Sequence, residues 1–412
     1  MNEKSKKYLK AGLVSVALSF VLLILTYVYW NLSYTYDFGD NVIVWSAKKM
    51  DLWIGRKFDD SKVVPVNVAY DKVFVPYIDE RDNTVAGVRA VTDRKKLLEF
   101  FKMLKNRDAY GYVLCDIGLD EFETEYDEEL FATIASMRDI VVASCNPEQA
   151  PAILREKVAD VTYESRKVGD LYMKYDYVMS DGSPSVALKI WEDLTGGKIK
   201  RKWWGWSSDG RVCLRSIIPD FRYSIYDDIS DAGGRHMEGF YMYSSKMYNL
   251  GANVVEPYLD GDISGKFYDG KFIILGDFTE NDIHSTISGN QPGPVIIFNA
   301  LLALINGDNI YSFWIYLLLF VVFWLESMFL LRDHFHLELR LFRPFRKLRA
   351  WVYRSRKVKT RDNIHMLLYK ILGFLGYNTP LLVLALFIYV ASGVFVNALV
   401  VGTVFWVISW FV

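Results

Sequence analysis

Acidic side chains cluster at and behind a strand-like run in this 412-residue sequence. The run "YVLCDI" (112–117) contains Asp116, and four further carboxylates follow it: Asp120, Glu121, Glu123 and Asp127. Ligands of α/β folds bind beyond the carboxyl ends of strands, where such carboxylates can hold a divalent cation or a cationic ligand. Their spacing matches no metal-binding loop, so no metal is predicted, and solvated loop carboxylates are the simpler interpretation.

A second polar group follows "KFIILG" (271–276), another strand-like run. Asp277 comes directly after this run, and Asp282 and His284 follow it shortly afterwards. Two interpretations are open: contact with a ligand, or a structural turn in which Asp282 caps backbone amides. With Asp116, Asp120 and Glu121, these three side chains form the predicted ligand-binding set.

The stretch "KIKRKWWGWSSDGR" (198–211) places tryptophans beside cations. The predicted aromatic-basic patch consists of Arg201, Lys202, Trp203, Trp204 and Trp206. Such side chains can stack on a sugar or lie at the level of lipid headgroups. A plain β-hairpin with alternating tryptophans in the core fits the same pattern.

Common motifs of catalysis are missing from the sequence, which has neither an HExxH pair nor a GxSxG turn. Its three cysteines lack the paired spacing of zinc or redox sites, and we expect Cys115 and Cys145 to be small buried residues. We therefore predict no enzyme and no cofactor. The formal net charge of −1 gives no indication of a nucleic-acid partner.

Apolar runs at both ends of the chain have the length of membrane-spanning helices, about 20 residues. They are residues 11–30, residues 311–331 and the stretch 367–412. The small and polar centre of the last stretch, "ASGVFVN" (391–397), predicts a hairpin of two helices.

The positions of basic residues indicate how these helices are oriented. Lysines precede the first run, and many basic residues follow the second, among them Arg340, Arg343, Arg346, Lys347, Arg349, Arg354, Arg356, Lys357, Lys359 and Arg361. Because cationic loops stay on the cytoplasmic side, residues 31–310 are expected outside. The basic loop has the alternative role of binding anionic lipid or an acidic partner.

The predicted fold class is an α/β extracytoplasmic domain with a mostly parallel sheet, plus all-α transmembrane segments. The predicted order is a cytoplasmic N-terminus (1–10), a transmembrane helix (11–30), the external domain (31–310), a transmembrane helix (311–331), a basic cytoplasmic loop (332–366) and a hairpin of two transmembrane helices (367–412). Glu326 interrupts the second apolar run. We expect its carboxyl group either to face small and polar positions of the last two helices or to reach the membrane surface.

Within the external domain, β-branched runs alternate with amphipathic ones, which indicates an α/β fold. Strands are predicted at 63–70, 112–117, 139–144 and 271–276. Helices are predicted at 92–106, 126–137, 183–197 and 294–306. For the third helix, Ser183 is the expected N-cap and Pro184 the first helical residue, while Gly196 or Gly197 ends it.

Several stretches resemble the CHASE2 family, the extracytoplasmic sensory domain of bacterial membrane receptors. "YGYVLCDIGLDE" is similar to that family's strand ending in Asp, and "SPSVALKIWE" to its central helix start. "GKFIILGDFTENDIHST" followed by "PGPVIIFNALLALING" is similar to its C-terminal signature of strand, Gly, Asp and a Pro-Gly turn into a helix. One helix before the domain and three after it also fit the family, although the region "NTVAGVRAVTDR" lacks its usual Trp-Pro segment.

The resemblance implies a multi-pass protein of the bacterial inner (cytoplasmic) membrane that senses an unknown extracytoplasmic ligand. Family members usually continue into a cytoplasmic kinase or cyclase domain, and this sequence carries none. We therefore expect output through a separate cytoplasmic or membrane effector, with membrane lipids and a second copy of the chain as further partners. The rival expectation is a structural membrane protein that scaffolds an envelope complex without switching.

Overall fold

The computed structural model describes residues 3–32, 38–50, 58–79, 84–120, 122–161, 167–168, 171–172, 174–219, 222–225, 247–262, 264–279, 282–286, 289–331 and 362–408. The chain divides into two compact units. The helical unit comprises Met1–Trp53, Gly210–Leu214 and Ile310–Val412. The α/β unit comprises Ile54–Asp209 and Arg215–Asn309.

The described helices fall into both units. They are α1 (Glu3–Trp30), α2 (Phe38–Lys49), α3 (Arg94–Arg107), α4 (Asp127–Ser136), α5 (Val186–Thr195), α6 (Glu256–Leu259), α7 (Gly293–Asn306), α8 (Phe313–Leu331), α9 (Asp362–Ser392) and α10 (Ala398–Ile408). A single π-helical turn, Leu250–Val255, leads into α6.

The described strands are short, as is usual in α/β proteins. They are β1 (Val63–Asn67), β2 (Lys72–Asp79), β3 (Thr84–Thr92), β4 (Tyr112–Asp116), β5 (Ile140–Ser144), β6 (Val158–Asp160), β7 (Lys167–Val168), β8 (Leu171–Tyr172), β9 (Tyr175–Asp176), β10 (Ile199–Lys202), β11 (Gly205–Ser208), β12 (Arg211–Cys213), β13 (Ser216–Ile217), β14 (Tyr248–Asn249), β15 (Phe272–Gly276), β16 (Ile283–Thr286) and β17 (Gly289–Pro292).

A six-stranded sheet of order β14-β1-β15-β4-β5-β6 forms the centre of the α/β unit, and all of its pairings are parallel. This confirms the predicted α/β class. In register, Asn67 lies beside Gly276, and Gly276 lies beside Asp116, so three strands end at one level. Parallel strands covered on both faces are apolar throughout, which explains why β1 and β5 are buried along their whole length.

Helices cover both faces of this sheet. On one face, α3 and α4 share a hydrophobic core with alternate strand residues, including Val113 and Leu275. On the other face, α5 and α7 pack against each other, and the ring of Phe298 lies 4.9 Å from that of Phe272. Since β15 stands between β1 and β4 although it comes last in the chain, the sheet has a crossover at its centre.

The helix termini follow the local sequence, with one correction. Asp93 caps α3, and Gly307 ends α7 with a positive φ of 72°. The prediction for α5 was wrong: its N-cap is Ser185, whose hydroxyl accepts from the Leu188 amide. Ser183 instead donates to Asp181 in a preceding turn, so Pro184 lies before the helix.

Three helical segments are long and apolar enough to cross a membrane: Ser5–Trp30, Phe313–Leu331 and Gly373–Ser392. The first and second pack together along a face of α1 that carries buried Ser15 and Ser19. Small residues at four-residue spacing let helices approach closely. At the end of this pair the rings of Trp30 and Tyr311 stack at 4.6 Å.

The last two helices pack closely as well. A Cβ on Gly402 would lie 2.4 Å from Oδ1 of Asn378, so only glycine allows α10 to approach α9 here. The bend at 393–397 agrees with the predicted hairpin, although α10 is 11 residues long in the described part of the chain. Helix α2 contacts both α9 and α10, and the α/β unit therefore begins at Ile54, later than the predicted start of the external domain at residue 31.

Candidate functional site

An open cavity of about 230 Å³ lies at the carboxyl ends of β1, β15, β4 and β5. Four predicted carboxylates, those of Asp116, Asp120, Asp277 and Asp282, line this cavity together with the ammonium group of Lys72. The edge where parallel strands end beside a crossover is the usual ligand position in open α/β sheets. The fold thus brings two separate predicted clusters into one site.

Asp116 is the last residue of β4, and its Oδ2 atom is buried without a hydrogen-bond partner in the described part of the chain. Burial, and then the nearby charge of Asp282, raises the pKa of the Asp116 carboxyl group well above its usual range. Neighbouring Gly276 carries no side chain because a Cβ there would lie 2.5 Å from Cγ of Pro294. This glycine therefore lets the start of α7 approach the sheet.

Asp277 is held by its own turn. Its Oδ1 atom accepts hydrogen bonds from the amide and hydroxyl of Thr279, at 2.9 and 2.6 Å. The other carboxylate oxygen lies 3.9 Å from Nζ of Lys72, which donates to the Thr92 hydroxyl. The hairpin β2–β3 thereby contributes the ammonium group to a wall that otherwise carries acidic charge.

Asp282 contacts the N-terminus of α7. A Cβ on Gly293, the first residue of α7, would lie 2.5 Å from Oδ2 of Asp282, and Nε2 of His284 lies 3.0 Å from Oδ1. Burial raises the pKa of Asp282, while His284 and the Gly293 amide oppose this rise. Asp282 therefore lies against the start of α7 and also lines the cavity, and the capping of backbone amides by its carboxylate stays a prediction.

Asp120 is fixed by Ser144, the last residue of β5, whose hydroxyl donates to Oδ1 at 2.6 Å. The next residue, Cys145, also lines the cavity and is exposed, so the expectation that it is buried was wrong; Cys115 is buried as predicted. Cys145 lies one position beyond the end of the strand, where the chain leaves the sheet.

Two of the clustered carboxylates serve the fold instead of the cavity. Glu123 accepts from Arg94 and forms an ion pair with Arg89, and Asp127 lies 3.3 Å from Nε of Arg94. The guanidinium of Arg94 also donates to the carbonyl of Gly118. This buried network fixes the loop that carries Asp120. Glu123 and Asp127 therefore position Asp120 but do not line the cavity themselves.

The C-terminus of α7 is fixed by a second buried network. Asp308 forms an ion pair with Arg222, and both side chains are almost fully buried. Within α7, the side chain of Asn299 accepts from the Tyr223 amide and donates to the Tyr223 carbonyl, each at 2.9 Å. The helix therefore ends at Gly307, and the residues after it are held in place.

The remaining predicted residues lie elsewhere. Glu121 and the basic stretch 332–361 fall outside the described residues. Arg201, Lys202, Trp203, Trp204 and Trp206 lie on the hairpin β10–β11, away from the cavity lining. The stretch forms a hairpin, as one interpretation expected, and Trp203 and Trp204 are 97% and 38% exposed.

Glu326 is half-buried on α8. Two polar side chains of α9 donate within their own helix, Asn378 to the Phe374 carbonyl and Ser392 to the Ile388 carbonyl, while Oδ1 of Asn378 is buried with no hydrogen-bond partner among the described residues. Thr379 is exposed.

Sequence reasoning missed the contributions of Lys72, Ser144 and Cys145 to the cavity. Ser144 ends a predicted strand, so the rule that selected Asp116 applies to it equally. Lys72 comes from a hairpin whose position no local pattern indicates. Among the described residues, no three His, Cys, Asp or Glu side chains are arranged to hold a metal ion.

Comparisons of the chain with family models, curated proteins and solved structures found no match. The resemblance to the CHASE2 family therefore stays a prediction.

Proposed function

We propose that this chain is a membrane-anchored sensor of CHASE2 type whose ligand binds in the cavity at the carboxyl edge of the parallel sheet. The α/β unit would lie on the extracytoplasmic side of a bacterial inner membrane. Three helices of membrane-spanning length and composition support the anchoring, and the positions of basic residues in the sequence support the orientation.

The observation that carries this proposal is the double role of Asp282. Its carboxylate lines the cavity and lies against Gly293, the first residue of α7. A ligand that displaces this carboxylate or neutralises its charge changes an interaction at the helix N-terminus, where negative charge is stabilising. Occupancy of the cavity is thereby coupled to α7.

The chain leads from α7 towards α8. A helix that continued into the membrane span would be a rigid lever, but α7 ends at Gly307. However, the buried ion pair between Asp308 and Arg222 holds the connector on the α/β unit. A displacement of α7 would therefore move this connector as well. A loose linker, by contrast, would absorb the displacement.

The output would pass through a separate effector protein in the membrane or cytoplasm. The test is affinity capture of the full-length chain from native membranes, with wild type compared with Asp282→Ala. Asp277→Ala is the matched control, because Asp277 lines the same cavity but, among the described residues, its carboxylate bonds to Thr279 in its own turn and lies 3.9 Å from Lys72.

A sensor predicts a captured protein whose amount changes in Asp282→Ala and not in Asp277→Ala. Equal capture of the same partner by all three forms would favour the scaffold function and contradict switching. Failure to capture any partner by cross-linking in intact cells would contradict output through a second protein.

A further inference from the structure

The hairpin β10–β11 presents tryptophans to solvent at its tip. Trp203 and Trp204 form the turn, and their side chains are 97% and 38% exposed. Turn positions favour Gly, Asn, Asp, Pro and Ser for conformational reasons, so the local backbone does not call for two tryptophans. Gly205, at φ 140°, supplies the unusual conformation that closes the hairpin.

Cations flank these rings on the same hairpin. Lys200, Arg201 and Lys202 are exposed, and none of them forms an ion pair with any residue that the structure describes. Arg201 lies directly across from Trp206 in the strand register. The tip therefore combines a large apolar surface with three positive charges that no described carboxylate neutralises.

Along the chain, this hairpin is followed directly by β12, which bonds to the aromatic end of the apolar helices. Two residues, Asp209 and Gly210, separate β11 from β12 along the sequence. In β12, the carbonyl of Cys213 accepts from the hydroxyl of Tyr27 in α1, and the carbonyl of Val212 accepts from the amide of Tyr311. Tyr311 itself stacks on Trp30, and paired aromatic rings at the end of apolar helices are typical of the membrane–water interface.

We propose that the hairpin Ile199–Ser208 binds the outer surface of an anionic bilayer, with Trp203 among the lipid headgroups and acyl-chain ends. Tryptophan is favoured at that depth because its ring is apolar and its N–H remains able to bond. Lys200, Arg201 and Lys202 contact the lipid phosphates, and each cation near an anionic surface raises the partition constant about fivefold. This inference rests on the membrane placement of the apolar helices but not on ligand binding in the cavity.

The test uses the full chain reconstituted into vesicles of phosphatidylcholine, with or without about one-third phosphatidylglycerol. A Cys145→Ser background carries an environment-sensitive fluorophore at Trp204→Cys, which leaves Trp203 and the cations intact. A Phe74→Cys variant in the same background takes the same label as a matched control, because Phe74 on β2 is 76% exposed. Nitroxide-labelled lipids then report contact with the bilayer by quenching.

We expect quenching at position 204 that is several-fold stronger than at position 74 and that increases with phosphatidylglycerol. Trp203→Ser should reduce it in both lipid mixtures, whereas replacing all three cations by Gln should remove only the dependence on anionic lipid. Equal quenching at positions 204 and 74 would overturn the proposal. Emission that instead responds to a soluble peptidoglycan oligosaccharide, without lipid quenching, would assign the hairpin to a glycan and also overturn it.

Discussion

The carboxylate of Asp282 lies directly on Gly293, the residue at which α7 begins. A Cβ built on Gly293 would lie 2.5 Å from Oδ2 of Asp282, and the Gly293 amide lowers the pKa of the same carboxyl group. A side chain at position 293 would displace this carboxylate, so the close approach favours glycine here, and the backbone conformation does not. The contact joins the cavity wall to a helix some ten residues further along the chain.

Gly293→Ala should displace the Asp282 carboxylate and destabilise the α/β unit by about 1–3 kcal/mol, the usual cost of inserting a methyl group into a packed site. Gly87→Ala is the control, since a Cβ on Gly87 meets no atom within 4 Å. Thermal and chemical unfolding of the full chain in detergent measures the stability of both variants. Equal stability of the two variants would show that the carboxylate moves aside without cost.

The stability of the α/β unit should depend on pH through Asp116. Its folded-state pKa is raised by burial, so the folded state binds more protons than the unfolded state above about pH 4, and this residue's contribution to stability falls as pH increases. Asp116→Asn removes the ionisable group and therefore this decrease in stability with increasing pH. The unfolding free energy of the variant relative to wild type should therefore rise with pH from about 4 upward, by at most about 1.4 kcal/mol per unit.

Asp181→Asn is a control of opposite sign. Hydrogen bonds from Ser183 lower the pKa of Asp181, so this carboxylate contributes stability that is present above about pH 4 and lost in more acidic solution. Relative to wild type, Asp181→Asn should become less stable as pH rises through that range. If both variants changed in the same direction with pH, the assignment of Asp116 as a desolvated carboxyl group would be wrong.

The ion pair between Asp308 and Arg222 should be a major stabilising contact of the α7 terminus. Its side chains are 6% and 3% exposed, and removal of one partner of a buried pair costs about 3–5 kcal/mol. Asp308→Ala should show this loss in unfolding experiments. Glu129→Ala, which removes an exposed ion pair with Lys102, should change stability by less than about 1 kcal/mol. Comparable effects of the two substitutions would contradict a fixed connector.

Single-cysteine labelling tests the proposed orientation. In intact cells, a membrane-impermeant maleimide should label a cysteine placed at Asp209, in an exposed turn of the hairpin region, and should not label one placed at Ser355. Both positions should label after the membrane is permeabilised. Labelling of Ser355→Cys from outside would show that the orientation in the membrane is opposite to the proposed one.

Much of the α/β unit was predictable because its strands and helices carry strong local patterns. Each of the four predicted strands corresponds to a strand of the parallel sheet. The helix predicted at 92–106 corresponds to α3, which begins directly after its N-cap, Asp93. The rule for strand ends also selected Asp116 and Asp277, each beside the end of its own strand. Their meeting in a single cavity follows from β15 lying beside β4, which is a long-range pairing that local patterns do not encode.

The errors have equally specific causes. Ser183 and Ser185 flank Pro184, and the choice between them as N-cap depends on the turn that Asp181 forms with Ser183. Glu123 and Asp127 were grouped with Asp120 by proximity in sequence, whereas the buried Arg94 attracts both. A basic partner contributed by a different helix redirects carboxylates in a way that spacing alone does not reveal.

Hydrogen exchange of the full chain tests most directly whether the cavity wall is coupled to the end of α7. Asp282→Ala removes the carboxylate that lies against Gly293 at the start of α7, and Asp277→Ala serves as the control within the same cavity. We predict faster exchange in Asp282→Ala both at the first turn of α7 and at residues 307–309, with neither change in Asp277→Ala. Faster exchange confined to the first turn, with residues 307–309 as protected as in wild type, would contradict transmission through α7.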